Sequence, residues 1–276
     1  MTSKYKSRCN NNGTMAKSKV RPRTRPLHAK AHGDDAIRIV PLHLPGAAAQ
    51  APPAHLTYRK GALISAVEVF TIFWGSAWKS APQTALMAQL NGFFDFILAS
   101  PLIDQLTEYN VPKIKIGHGK HIGTATIAAP ALGTSVTDAA IQAMLRDQTA
   151  KGRPVPKPTA NTLYFVYVQP GVRVVLGGSA SCQAFCGYHN AIGGKSFYAV
   201  MPYPGCNGCT GGLSVFDALT STSSHELCEA ITDPVPGEGW YDDANGEIGD
   251  ICAWQTRKIG NYTVQLEWSN KANRCV

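Results

Sequence analysis

The sequence has no run of about 18 apolar residues, so no transmembrane helix is expected. Its opening, MTSKYKSRCNNNGTMAKSKV, has no apolar segment of the kind a secretory leader requires, and a start at Met15 does not create one. One sign of charge is missing from a long stretch. Between Ser196 and Thr256 there is no Lys or Arg, although nine of the chain's acids fall there. No period repeats, which argues against a solenoid or propeller. The glycine-rich IGHGKHIG at 116–123 lacks both Walker spacing and a Ser or Thr after its Lys, so it is no phosphate loop.

With 276 residues and 44% hydrophobic content, the chain is ample for a packed core. The net charge of +8 suggests a polyanion partner until it is partitioned. Residues 1–60 carry 12 Lys and Arg against 2 Asp, which leaves 14 against 16 for residues 61–276. No specific nucleic-acid partner is therefore expected for the body. The basic segment has too little apolar surface to offset its chain entropy and reads as a disordered tail. It is either a solvated leader or propeptide, or a binder of anionic surfaces such as cell-wall polymers or nucleic acid. The low-complexity AAAQAPPA at 47–54 places the boundary near Arg59-Lys60, giving a tail over 1–60 and a single domain over 61–276.

Eight cysteines, seven of them after residue 180, exceed what a reducing cytosol usually holds without metal or catalytic use. Secretion follows as the expectation. The opening residues then imply another export route, a trimmed start, or thiols engaged with metal. Cys182-x₃-Cys186 and Cys206-x₂-Cys209 fit a four-thiolate zinc ribbon and fit disulfides equally.

Along the body, β-branched and aromatic SAVEVFTIF (65–73) predicts a buried strand, and Pro82 opens a helix through about Leu98, followed by a short helix over 101–109. Strand-like pieces surround 116–128, and Ser135 with Asp138 is expected to cap a helix in SVTDAAIQAMLRDQ. TLYFVYV and VRVVLG read as strands joined by a Pro170-Gly171 turn; SFYAVMPY (196–203) and YTVQLEW add two more. Strands mixed with long helices give an α+β fold, or an α/β one, with a mixed sheet and flanking helices.

The chemistry concentrates in LSVFDALTSTSSHELCEAITDP, residues 213–234. At 100° per residue His225 and Glu229 fall about 40° apart, with Glu226 roughly 60° beyond, while Phe216, Leu219, Leu227, Ala230 and Ile231 form an apolar stripe opposite. Ser214 and Asp217 approximate a capping box, and Pro234 ends the helix. A ligand pair at i and i+4 projects two donors toward one point, as in the zinc signature HExxH; here Glu229 stands where the second His would be. His225 and Glu229 are the expected metal ligands, with Glu226 as the general base. The acidic loop GWYDDANGEIGD supplies further ligands: Asp250 first, because Gly249 lets the backbone approach, and Glu247 three residues before it. Nine uncompensated acids favour a bound cation. Zinc is the cofactor expected at the helix, and calcium is possible over 242–250, where Asp243, Asn245, Gly246 and Glu247 partly match an EF-hand loop. His189, in FCGYHN, is a candidate further ligand or catalytic donor. His118 and His121, three apart on a strand, should face opposite ways.

At SSHELCEAITDP, GWYDDANGEIGDICAW and FCGYHN the chain resembles the Exordium, or phosphate-induced, protein family of plants and its bacterial relatives, over about residues 61–276. His225, Glu226 and Glu229 match that family's helix; Glu247, Gly249, Asp250 and Cys252 match its EIGDxC segment; Cys186, Gly187 and His189 match its CGxH segment. The resemblance implies an extracellular protein linked to wall growth, with a zincin-like, metallopeptidase-like architecture. It favours disulfides over a zinc ribbon, with Cys252 and Cys275 as a further pair. The leading expectation is a secreted zinc-dependent hydrolase acting on a peptide or protein, with SFYAVMPY pairing with the substrate. The alternative is a non-catalytic, metal-stabilised protein that binds wall carbohydrate through Trp240, Tyr241 and Trp254, or a protein partner.

Overall fold

The computed structural model describes residues 29–30, 36–37, 39–43 and 53–276. Six strands build the main sheet: β1 (Ile39–Pro41), β2 (Ala66–Trp74), β3 (Gly117–Ile127), β4 (Thr162–Val168), β5 (Phe185–Ile192) and β6 (Ser196–Met201), in the order β1-β5-β6-β4-β2-β3. β1, β5 and β6 pair antiparallel, and β6, β4, β2 and β3 pair parallel, so the sheet is mixed as expected. The four principal helices are α1 (Gln83–Ile97), α2 (Pro101–Gln105), α3 (Asp138–Lys151) and α4 (Val215–Thr232).

Both faces of the sheet are covered, which explains why the central strands read as continuous apolar runs. In β4, Leu163, Phe165 and Tyr167 join one core with α1, α2 and α4, whereas Tyr164, Val166 and Val168 join the other with α3. β6 alternates in the same way, sending Ala199 and Met201 to the α4 side. The period of two therefore sorts the side chains into two layers of core.

Four expectations are corrected. The stretch assigned to the tail contributes to the folded body: β1 pairs with β5, Leu56 is buried, and Thr57–Tyr58 pairs with Trp240–Tyr241. Apart from residues 29–30, 36–37 and 39–43, residues 1–52 lie outside the described residues. Helix α3 is capped by Thr137, whose hydroxyl accepts from Ala140 N, because Ser135–Thr137 is drawn into a short strand against Arg173–Leu176. That pairing also puts Arg173–Leu176 in a separate three-stranded sheet, so it forms no hairpin with β4. Finally, β6 is hydrogen-bonded on both sides and has no free edge for an extended substrate.

Candidate metal centre

Helix α4 starts as its sequence dictates. Ser214 Oγ accepts from Asp217 N at 3.1 Å and donates to Asp217 Oδ2 at 2.7 Å, closing the box at the N-terminus. Asp217 also accepts from Thr263 and from Lys258 Nζ; chiefly the Thr263 bond holds its carboxyl below the usual range. Every residue from Ala218 to Thr232 is buried. The polar face of this helix therefore points at protein on every side. Ser221, Ser224 and Gln265 illustrate the packing: Gln265 N donates to Ser224 Oγ at 2.9 Å, and Gln265 Nε2 to the Gly249 carbonyl at 2.9 Å.

Two glycines let other backbone come close to this face. A Cβ on Gly187 in β5 would lie 2.6 Å from Thr222 Cγ2 and 3.2 Å from Glu226 Oε1. One on Gly249 would lie 2.9 Å from His225 Nδ1 and 3.0 Å from Glu229 Oε1.

The side chains thus gathered form two overlapping groups. His225 Nε2 is 2.9 Å from Glu229 Oε1, which also accepts from Asp250 N at 3.1 Å. His189 Nδ1 is 3.1 Å from Glu226 Oε2 and 3.4 Å from Glu229 Oε2; its Nε2 is 3.0 Å from the Asp233 carbonyl oxygen and 3.5 Å from Glu247 Oε1. In His225, Glu229 and Asp250, and again in His189, Glu226 and Glu229, one candidate ligand atom per residue lies within 4.8 Å of the others.

Apart from the partly buried Asp250, these side chains are sealed from solvent. Among the described residues, His225 Nδ1, Glu226 Oε1 and both oxygens of Glu247 make no hydrogen bond, while His225 Nε2 and Glu229 Oε2 have only their ion-pair contacts, with Glu229 Oε1 and His189 Nδ1. Burial pushes Glu226 up, against the His189 hydrogen bond, and pushes Glu247 well up, reinforced by Glu229, Asp233 and Asp250. Burial also opposes the charge of Glu229, but His225 and His189 overcome it and hold that carboxyl at about 2. Burial acts against protonating both histidines; the surrounding carboxylates, Glu247 first for His189 and Glu229 first for His225, nonetheless raise them well above the usual imidazole value. Such a nest of carboxylates and imidazoles, with oxygens left unsatisfied, has the donor set of a divalent-cation site.

His225, Glu229 and Asp250 come together as one group. Glu247 belongs to neither group and stands off His189 instead. Glu226, expected as a water-activating base, lies against His189, and His189 thereby joins a ligand-type group. Sequence reasoning missed two buried acids. Asp233 stops α4 and accepts from the amides of Gly237, Glu238 and Gly239, a role signalled by an Asp before a Pro- and Gly-rich loop. Glu267 is fully buried, with neither oxygen hydrogen-bonded among the described residues, and Thr263, Gln265 and Glu267 are buried polar residues at alternate positions.

Elsewhere the candidates have local partners. Asp242 Oδ1 accepts from Ala244 N, Asn245 N and Asn245 Nδ2, and its Oδ2 accepts from His55 N, so this carboxylate braces its own turn. Asp243 pairs with Arg59. His118 and His121 reach Asp104 and Asp95, on α2 and α1 of the same layer, because one extra residue in β3 between Gly117 and Lys120 shifts the register against β2. Of the expected aromatic platform, Tyr241 is buried and Trp240 and Trp254 are partly buried, their indoles donating to the carbonyls of Tyr109 and Pro41. Six cysteines form the disulfides Cys182–Cys206, Cys186–Cys209 and Cys252–Cys275, which removes the ribbon alternative, and Cys228 is a buried free thiol pushed up by burial.

Against known proteins, no family model matches this chain and no curated protein matches it.

Proposed function

We propose that the chain is an extracellular, disulfide-bonded protein of zincin-like design and Exordium-like character. Its HExxE helix holds a divalent cation, zinc first, as a structural centre through His225, Glu229 and Asp250. The observation that carries this reading is closure. His189, His225, Glu226, Glu229 and Glu247 are each 0% exposed, yet several of their polar atoms make no hydrogen bond among the described residues. Burying ionised groups without a counter-charge costs several kcal/mol per ion, and a cation offsets that cost. Three disulfides fit an oxidising compartment, and among the described residues no single helix is long and apolar enough to cross a membrane. Calcium over 242–250 has less to hold it, since Asp242 is committed to its turn.

One observation favours the hydrolase as a second reading. An open depression of about 340 Å³ is lined by Asn190, next in sequence to His189, and by Val235, Pro236 and Glu238, just beyond Asp233. Displacement of the loop 234–238 would join it to the cluster and give a peptide access to Glu226.

Metal analysis of the purified protein, followed by peptide-library and wall-polymer assays of wild type and Glu226→Gln, separates the two. Bound metal without turnover supports the structural centre. Turnover that disappears in Glu226→Gln while the His225 cation is retained supports the hydrolase, and a protein without metal removes both.

A further inference from the structure

The two ligand groups share Glu229, and its two oxygens face different histidines. Oε1 lies 2.9 Å from His225 Nε2, while Oε2 lies 3.4 Å from His189 Nδ1. We infer that the centre takes two divalent cations bridged by Glu229, one held by His225 and Asp250 and the other by His189 and Glu226. This rests on the metal-centre reading above and adds to it a second ion and a new role for Glu226.

The His189 side is built for a ligand. Its Nε2 lies 3.0 Å from the Asp233 carbonyl, which can only accept, so Nε2 carries a proton and Nδ1 is the nitrogen presented to the two carboxylates. Fixing the tautomer through the second ring nitrogen is the usual support of a metal-bound imidazole. Glu226 Oε1, fully buried, makes no hydrogen bond among the described residues, and Glu229 Oε2 has only its 3.4 Å contact with His189 Nδ1. Gly187 keeps β5 clear of Glu226, where a Cβ would stand 3.2 Å from Oε1.

A single ion on His225 leaves Glu226 and Glu247 with only the His189 imidazole as counter-charge in the same closed space, and no Lys or Arg occurs between Ser196 and Thr256 to add another. Mixed imidazole and carboxylate donors suit zinc, and also manganese or ferrous iron. A carboxylate whose oxygens diverge toward two nitrogen donors can bridge two ions at the spacing of about 3.5–4 Å found in two-metal sites.

The test loads the full-length oxidised protein with zinc and measures metal per chain by mass spectrometry after desalting. Two zinc per chain are expected for wild type, one for His189→Ala, one for His225→Ala, and at least tenfold weaker binding of both for Glu229→Gln. Manganese-loaded wild type should give an exchange-coupled paramagnetic resonance spectrum in place of an isolated six-line signal. The wild-type stoichiometry stands even where a variant misfolds, and circular dichroism identifies such variants.

One zinc per chain, unchanged in His189→Ala, overturns the second ion and leaves the His225 centre intact. One zinc lost in His189→Ala but kept in His225→Ala overturns both the pair and the His225 site. No zinc overturns both readings.

Discussion

His189 on β5 binds the end of the helix that carries its partners: its Nε2 lies 3.0 Å from the carbonyl oxygen of Asp233, the residue that caps α4 at its C-terminus. One imidazole therefore spans strand, helix end and carboxylate cluster. His189→Phe keeps much of the volume and removes every polar contact. Removing one partner of a buried pair costs about 3–5 kcal/mol, so urea unfolding of this variant should show a loss of that order. A loss below about 1 kcal/mol means the cluster is held without His189.

Metal removal should be visible as lost stability. Dialysis against a chelator is expected to lower the thermal midpoint, and zinc at 100 times its dissociation constant to restore about 2.7 kcal/mol. Differential scanning calorimetry with and without added zinc reads this directly. Coincident traces would count against the metal.

Gly249 offers a purely steric test. Its φ of −81° suits any residue, so Gly249→Ala introduces no backbone strain, only a Cβ 2.9 Å from His225 Nδ1. Overpacking of this kind costs about 1–3 kcal/mol and should also weaken zinc binding. The control Gly133→Ala has nothing within 4 Å and should fall within about 0.5 kcal/mol of wild type.

At alkaline pH the buried tyrosines should lead. Tyr188 and Tyr198 each donate to Asp138 Oδ1 at 2.7 Å, and burial first, then the nearby Asp138, pushes both hydroxyls well above 10.0. The folded protein keeps protons that the unfolded chain releases. This contribution is complete below pH 10.0, the ordinary tyrosine value, and falls as pH rises above it. Tyr198→Phe should reduce the slope of stability against pH above that point by up to about 1.4 kcal/mol per unit, measured by urea unfolding at stepped pH.

Thiol counting checks the covalent map. Cys228 is buried and free, while six other cysteines are paired. Denaturation without reductant should raise the number of reactive thiols by one relative to the native protein if Cys9 reacts equally in both. The increment should vanish in Cys228→Ser.

Much of this architecture can be read from the chain because local signals agree with the fold. TLYFVYV is a strand at Thr162–Val168, and α4 begins at Ser214 and stops before Pro234 as its capping residues require. His225, Glu229 and Asp250 could be grouped because the helix period and the following acidic loop both point there. The partnership of His189 with Glu226 spans 37 residues and depends on β5 lying against α4, which no local period encodes. Glu267 was hidden because it follows a strand, Tyr262–Gln265, whose polar Thr263 and Gln265 are buried along with Val264, so alternation gives no inward side. The tail boundary was missed for a similar reason: Ile39–Pro41 is too short to read as a strand until β5 offers it an edge.

The disulfides Cys182–Cys206 and Cys186–Cys209 join the start of β5 to the turn that leads into α4. Before any tertiary structure exists, the oxidised chain already carries a shortcut between the two halves of the centre. Through the Cys186–Cys209 bridge the separation of His189 from Glu226 shrinks to about 20 links, and halving a loop saves about 0.6 kcal/mol of closure entropy. Thiol oxidation thus narrows the search by which a collapsing chain brings imidazole and carboxylate together.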